Sequence, residues 1–203
     1  MKTPKLTIPF GDVENSPVHE ISFHNDWPDT DRSVKAQFRI AYDNDALNIL
    51  FTTSEAPILC RHFGDQAAVS CDSCVEAFIQ PAEGGEYWNV EVNVGESINC
   101  SHRIERPKAT KLSSAELAQI KRQSSMKING DTSIPGNGNS WTMRLSIPWQ
   151  LMGVTPHKGM TMRGNFYACA SEAQPPYYLS WAPIATDTPQ YHRPEFFGEL
   201  TLD

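Results

Sequence analysis

The sequence predicts an all-β protein: an antiparallel β-sandwich of two packed sheets, jelly-roll or immunoglobulin-like, with one or two short helices. Three observations carry this. Apolar and polar residues alternate with period 2 in segment after segment, the mark of strands with one buried face. These segments are short and separated by turn formers, with 15 prolines and 12 glycines among 203 residues. Helical periodicity surfaces at only two short places. Many short strands broken by turn signals pack best as a sandwich. No internal repeat and no linker divides the chain, so residues 1–203 read as one domain.

In chain order, VKAQFRIAY places Val34, Ala36, Phe38, Ile40 and Tyr42 on one face and Lys35, Gln37 and Arg39 on the other. Asp43-Asn44-Asp45 then turns the chain, since Asn and Asp tolerate the left-handed conformation. Leu47, Ile49 and Phe51 resume the alternation, completing a β-hairpin whose acidic turn needs no calcium to explain it. Residues 72–79 form the next strand. In 87–94, Trp88, Val90, Val92 and Val94 oppose Asn89, Glu91 and Asn93. Ser113-Ser114-Ala115-Glu116 is a capping-box pattern followed by Leu117 and Ile120, which predicts a short helix within 113–126. Residues 130–140, GDTSIPGNGNS, read as a loop. Trp141, Met143, Leu145 and Ile147 make a strand, and Pro148 to Gly153 makes one helical turn, opened by proline and closed by glycine. Met162, Gly164, Phe166 and Ala168 alternate with Arg163, Asn165, Tyr167 and Cys169. Residues 178–181 and 198–202 complete the set.

Composition bounds the function. The chain is 39% hydrophobic and 20% charged, an ordinary globular balance. Its formal charge of −7 repels phosphate backbones and anionic lipid, which argues against nucleic-acid and membrane partners. No apolar run approaches the roughly 18 residues of a spanning helix. The N-terminal MKTPKLTIPFGDVENS has no apolar core of a secretory signal, so the expectation is cytoplasmic; a chain trimmed of its leader would instead be exported. Five cysteines, Cys60, Cys71, Cys74, Cys100 and Cys169, are an odd number for a disulfide framework. Cys71 and Cys74 form a CxxC, and Cys60 and Cys100 each precede a histidine, His62 and His102, by two residues. A zinc ribbon needs two paired knuckles, and one pair is present. The expectation is five free thiols and no tightly bound metal.

The polar strand faces carry the functional signal. Asn is a poor strand former, yet Asn89 and Asn93 flank Glu91 at period 2. Glu76 sits on the preceding strand, and Arg163, Asn165 and Tyr167 on a later one. Brought side by side, they would form a patch of carboxylates and amides with an aromatic at its edge. Sugars present hydroxyls around a ring with apolar C–H faces, so such a patch beside an aromatic fits a sugar site. The stretch PQYHRPEFFGEL, 189–200, supplies Tyr191 and His192 next to it. The bland reading is equally consistent with composition: exposed polar residues, and a tyrosine packed under a loop.

The order of several signatures resembles family 9 carbohydrate-binding modules, and more closely the stand-alone family 9-like proteins of bacteria. The residues that carry it are Trp27; FRIAYDNDALNILF; Asp72-Ser73-Cys74-Val75-Glu76-Ala77-Phe78-Ile79; Val90 to Asn93; the IPW turn at Ile147; Gly164 to Tyr167; Leu179-Ser180-Trp181; and Arg193 to Leu200. The resemblance spans Trp27 to Leu200. It implies a two-sheet sandwich that binds sugar on one side, clamping it between two aromatics. By position it implies Glu76, Glu91 and Asn93 as polar site residues and Tyr191 as one clamp. The other clamp is absent, since Ala68-Val69-Ser70-Cys71 stands where a tryptophan is expected, and Cys74 is an extra residue in the motif. The family also includes calcium-binding members, but no ligand set maps onto this chain, and no cofactor is assigned.

The expected site is therefore Glu76, Glu91, Asn93 and Asn165 as a floor, Tyr191 and His192 as walls, Tyr167 at the edge, and Arg193 paired with a site carboxylate. Tyr191 is expected to be exposed. The expected partner is a mono- or oligosaccharide, bound without catalysis. Two alternatives stand: a protein-interaction module that has lost the sugar site, and a glycosidase using Glu76 and Glu91 as paired carboxylates.

Overall fold

The computed structural model describes residues 3–25, 27, 29–135 and 139–203. In chain order the strands are β1 (Lys5–Ile8), β2 (Val18–Ile21), β3 (Lys35–Tyr42), β4 (Ala46–Glu55), β5 (Ile58–Cys60), β6 (Cys74–Gln80), β7 (Tyr87–Asn93) and β8 (Ile98–Arg103). There follow β9 (Thr110–Lys111), β10 (Lys121–Ser124), β11 (Thr132–Ile134), β12 (Asn139–Pro148), β13 (Thr161–Ala170), β14 (Tyr177–Ser180) and β15 (Gly198–Leu202), with one helix, α1 (Ser114–Leu117). The larger sheet runs β1-β15-β13-β6-β7-β8-β9, with β14 also on β13. The smaller runs β10-β12-β4-β3-β2, and β11 pairs with β5 apart from both. The pairing is antiparallel except β1 with β15.

The expected sandwich is present. Ala36, Phe38 and Ile40 of β3, Ile49 and Phe51 of β4, and Met143 and Leu145 of β12 meet Val75, Ala77 and Ile79 of β6, Val90 and Val92 of β7, and Phe166 and Ala168 of β13 in one core. The Val, Leu, Ile, Phe and Met side chains among them are each worth about 1.5–3 kcal/mol when fully buried. Phe38 and Phe166 join the two sheets with ring centroids 4.2 Å apart. The Asp43 turn closes as expected: its Oδ1 accepts from the Asp45 and Ala46 amides at 2.8 Å each. Pro148 caps a 3-10 turn, Trp149–Met152, which Gly153 ends at φ 69°. That left-handed conformation is cheap for glycine.

Three expectations are corrected. The helix stops at Leu117, although its capping box forms. Lys121–Ser124, expected as its last turns, instead pairs with β12 as an edge strand. Once Leu117 and Ile120 are buried, the following amides gain partners on β12, and that pairing outweighs helix propensity. Within the expected loop 130–140, Thr132–Ile134 pairs with β5 and β12 begins at Asn139; residues 136–138 lie outside the described residues. Third, the outer face of the larger sheet does not meet water. A second apolar cluster covers it, in which Cys74, Phe78, Tyr87, Tyr167 and Cys169 from the sheet pack with Trp27, Val69, Ile184, Tyr191 and Phe197 from the loops above.

Candidate functional site

Strand register places the centre of this covered face. Glu76 lies opposite Glu91 on β7 and opposite Tyr167 on β13. Cys74 lies opposite Cys169. A 3-10 turn, Val69–Cys71, and the loop before β15 roof the face but leave a gap above Glu76. The gap is a pocket of about 160 Å³. Glu76, Glu91 and Cys169 form its floor, and Ser70, Ser171, Tyr178, Gln190, Tyr191, His192 and Arg106 line the rest with Pro189. A cavity near 150 Å³ accommodates one six-membered ring such as benzene.

The two carboxyls are buried and unequal. Glu91 accepts from Asn89 Nδ2 at 2.9 Å and Asn99 Nδ2 at 3.0 Å. Glu76 accepts one protein hydrogen bond among the described residues, from the Cys169 thiol at 3.3 Å. Burial, Cys169 and Glu91 hold the Glu76 carboxyl well above the usual carboxylate range. Burial raises Glu91 as well, against its two amide donors and Arg103 and Arg106. Two buried carboxyls facing each other across neighbouring strands cannot both ionise cheaply, so ionising one holds back the other. In its singly protonated form the pair offers both a donor and an acceptor. His192 is pushed down to about 3 by burial and by Arg103 and Arg106. It is therefore a neutral imidazole at physiological pH, with Nδ1 3.0 Å from the Tyr87 hydroxyl and its ring 4.9 Å from that of Phe78.

Of the eight residues expected at the site, Glu76, Glu91, Tyr191 and His192 meet at the pocket, and the other four do not. Asn93 donates to His62 O and Asp72 Oδ2, and accepts from the Gly95 and Ser97 amides. It fixes the β7–β8 turn and has no capacity left for a ligand. Asn165 is spent on the Phe166 amide and on both backbone groups of Ala182. Tyr167 is fully buried and donates to Tyr191 O at 3.2 Å. Arg193 pairs with Glu195 at 2.6 Å and lies over Phe196, so it does not reach either floor carboxylate. Tyr191 is 9% exposed. Its ring stacks on Tyr167 with centroids 4.0 Å apart, and its hydroxyl donates to Leu179 O and Ala168 O. It is a packed wall, and the expected exposed stacking surface is corrected.

The half-buried tyrosine at the pocket is Tyr178, which its sequence marks only as part of a strand. Its ring stands edge-on to Trp27 at 5.9 Å. Alternation was the available signal: Tyr177 points to the core, donating to Glu55, so Tyr178 must take the opposite face. Ser70 comes from the Val69–Cys71 turn and Ser171, Gln190 and Arg106 from loops, and nothing in their local sequence marks them. Pro194 opens a 3-10 turn, Pro194–Phe196, and Phe197 is buried beneath it. Gly198 does not have a left-handed φ. A Cβ there would meet Trp181 Cη2 at 2.6 Å and Pro4 O at 2.9 Å, so close packing, and not a turn, requires the glycine.

Residues 10–202 match the sequence profile of carbohydrate-binding family 9. No curated protein matches the chain. Among solved structures, a protein of Bacteroides uniformis described as a candidate carbohydrate-binding protein is 25% identical, with TM-score 0.91 and complete coverage of both chains. A family 9 carbohydrate-binding module of Caldicellulosiruptor kristjanssonii, solved with glucose, is 14% identical with TM-score 0.65, over 98% of this chain and 96% of that one. A family 9 module of the same organism, solved with cellotriose, gives 14% and 0.61 over 98% and 93%. At 14% identity these two show a shared fold.

Proposed function

The chain belongs to carbohydrate-binding family 9, and on that premise we propose that the pocket above Glu76 holds one ring of a mono- or oligosaccharide without cleaving it. The observation that carries the reading is Glu76: a buried carboxyl at the floor of a ring-sized pocket, with one weak thiol donor as its protein partner. Buried polar groups are satisfied in folded proteins, and a sugar hydroxyl would complete this one. The carboxyl pair then reads hydroxyls as donor and acceptor together, Ser70, Ser171 and Gln190 add neutral polar contacts, and Tyr178 offers a face for the C–H side of the ring. The solved family 9 modules bound to glucose and cellotriose support a sugar of that class.

The family match favours binding over hydrolysis. With one aromatic face in place of a clamp, affinity should be modest, about 0.1–1 mM, near 4–5.5 kcal/mol. Calorimetric titration with glucose and short glucans tests this. Glu76→Gln should weaken binding by roughly two- to tenfold, the value of one neutral hydrogen bond of about 0.5–1.5 kcal/mol. If sugars at millimolar levels give no heat, or if Glu76→Gln binds like the parent, this pocket is not the sugar site. Protein interaction on the same fold would then be the better reading.

A further inference from the structure

Next to the pocket's Ser70 and Ser171 in the chain lies a group that the sugar reading does not use. His62, Cys71 and Glu172 each offer a ligand atom, all within 4.8 Å of one another. The sequence expectation of no metal rested on Cys71 and Cys74 as a lone pair. The fold separates that pair: Cys74 turns into the buried cluster opposite Cys169, while Cys71 stays half-buried. In place of Cys74, the fold gives Cys71 a histidine from the loop after β5 and a glutamate from the loop after β13.

Two further features make this a built arrangement. Asp72 is fully buried, and its Oδ1 lies 3.2 Å from His62 Nδ1. The carboxylate also accepts the Arg61 and His62 amides at 2.9 Å each and Asn93 Nδ2 at 2.8 Å. Asp72 is thus fixed by its neighbours and in turn fixes the His62 ring, leaving Nε2 as the nitrogen with a free lone pair. A carboxylate behind one imidazole nitrogen is the usual orienting partner of a metal-bound histidine. Backbone bonds from Ser171 N to Ser70 O and from Glu172 N to Cys71 O hold the two loops in register, which keeps Glu172 beside Cys71.

We propose that His62, Cys71 and Glu172 bind a borderline-soft divalent cation of the zinc class. One imidazole, one thiolate and one carboxylate form a donor set that zinc accepts, and three protein ligands leave a fourth position for water. With Zn–S about 2.3 Å and Zn–N or Zn–O about 2.0–2.1 Å, tetrahedral donors stand about 3.3–3.6 Å apart. The ligand atoms lie within 4.8 Å of one another, so binding draws them together by at most about 1.5 Å, with half-buried Cys71 and exposed Glu172 closing on the His62 ring that Asp72 holds. Binding displaces the Cys71 proton, so affinity falls as pH falls.

The test uses the full-length reduced protein with Zn²⁺ or Co²⁺ alone. A chromophoric chelator in competition should report one zinc per chain. Cobalt should give the charge-transfer absorption of a cobalt–thiolate bond. Cys71→Ser should abolish that band. His62→Ala and Glu172→Gln should each weaken zinc by at least the ten- to hundredfold that loss of an outer-shell partner costs, and Cys169→Ser should retain the band. The proposal is overturned if the parent protein shows no stoichiometric metal or no thiolate band, a result that stands even where a variant fails to fold. It is equally overturned if the band survives Cys71→Ser or disappears in Cys169→Ser, which would place the metal on the buried Cys74, Glu76 and Cys169 group. Sugar binding enters none of these readouts.

Discussion

Truncating Tyr191 separates a packed wall from a ligand platform. The ring is 9% exposed and lies 4.0 Å from Tyr167 and 6.1 Å from Trp27, centroid to centroid. Its hydroxyl donates to Leu179 O at 3.1 Å and Ala168 O at 3.3 Å. Tyr191→Ala should therefore behave as a buried aromatic-to-alanine change, about 3–5 kcal/mol. For a chain of this size, each kcal/mol moves the melting temperature by about 2–4 °C, so the fall should be roughly 6–20 °C. Tyr191→Phe keeps the ring and loses the hydroxyl bonds, about 0.5–1.5 kcal/mol, or a few degrees. Tyr178→Ala is the counterpart. It removes a half-buried ring, so it should spare more of the fold and weaken sugar binding by about two- to tenfold, from 0.5–1.5 kcal/mol of lost stacking. Calorimetric melts of the three variants, followed by sugar titration of those that fold, make the comparison. A Tyr191→Ala protein that melts like the parent would refute the packing argument and return the stacking role to Tyr191.

Two other perturbations test the interior. Because the Glu76 carboxyl titrates above its unfolded value, its contribution is full below the ordinary carboxylate range and is lost as pH rises through the raised value. The slope is at most about 1.4 kcal/mol per pH unit for one proton. The buried, lowered His192 works oppositely, losing stability as pH falls below its ordinary value; it is common to both proteins, so the difference between Glu76→Gln and the parent reports on the carboxyl pair. That difference should grow in favour of Glu76→Gln as pH rises toward neutral, and parallel urea-derived stability curves would contradict it. Gly198→Ala should cost about 1–3 kcal/mol through overpacking against Trp181 and Pro4. An unchanged denaturation midpoint would show that the β15 entry has slack.

Much of the architecture was legible in the sequence because it is local. The alternation in β3, β4, β7, β12 and β13 assigns one face of each strand to the core, and a period of two leaves little freedom in that assignment. The Asp43 turn and the Pro148–Gly153 turn are dictated by residues adjacent in the chain. The capping box at Ser113 was legible for the same reason, and the length of its helix was not, because β12 competes for the next residues from far along the chain. The site divides in the same way. Glu76 and Glu91 could be placed on the outer face by periodicity, and family resemblance pointed to them. Periodicity does not say what covers a face. Asn93, Asn165 and Tyr167 share that face, yet the loops reach down and consume their hydrogen bonds, leaving a gap over Glu76, Glu91 and Cys169. Tyr191 and Tyr178 are both tyrosines beside polar strands; only the packing of the loop before β15 decides that the first is buried and the second lines the opening. Likewise, Cys71 and Cys74 are near neighbours in the chain, and strand register sends them to different partners. Local periodicity, acting over a few residues, determined the sheets; contacts between residues tens to more than a hundred positions apart decided the pocket, since burial of a polar group depends on which distant backbone satisfies it.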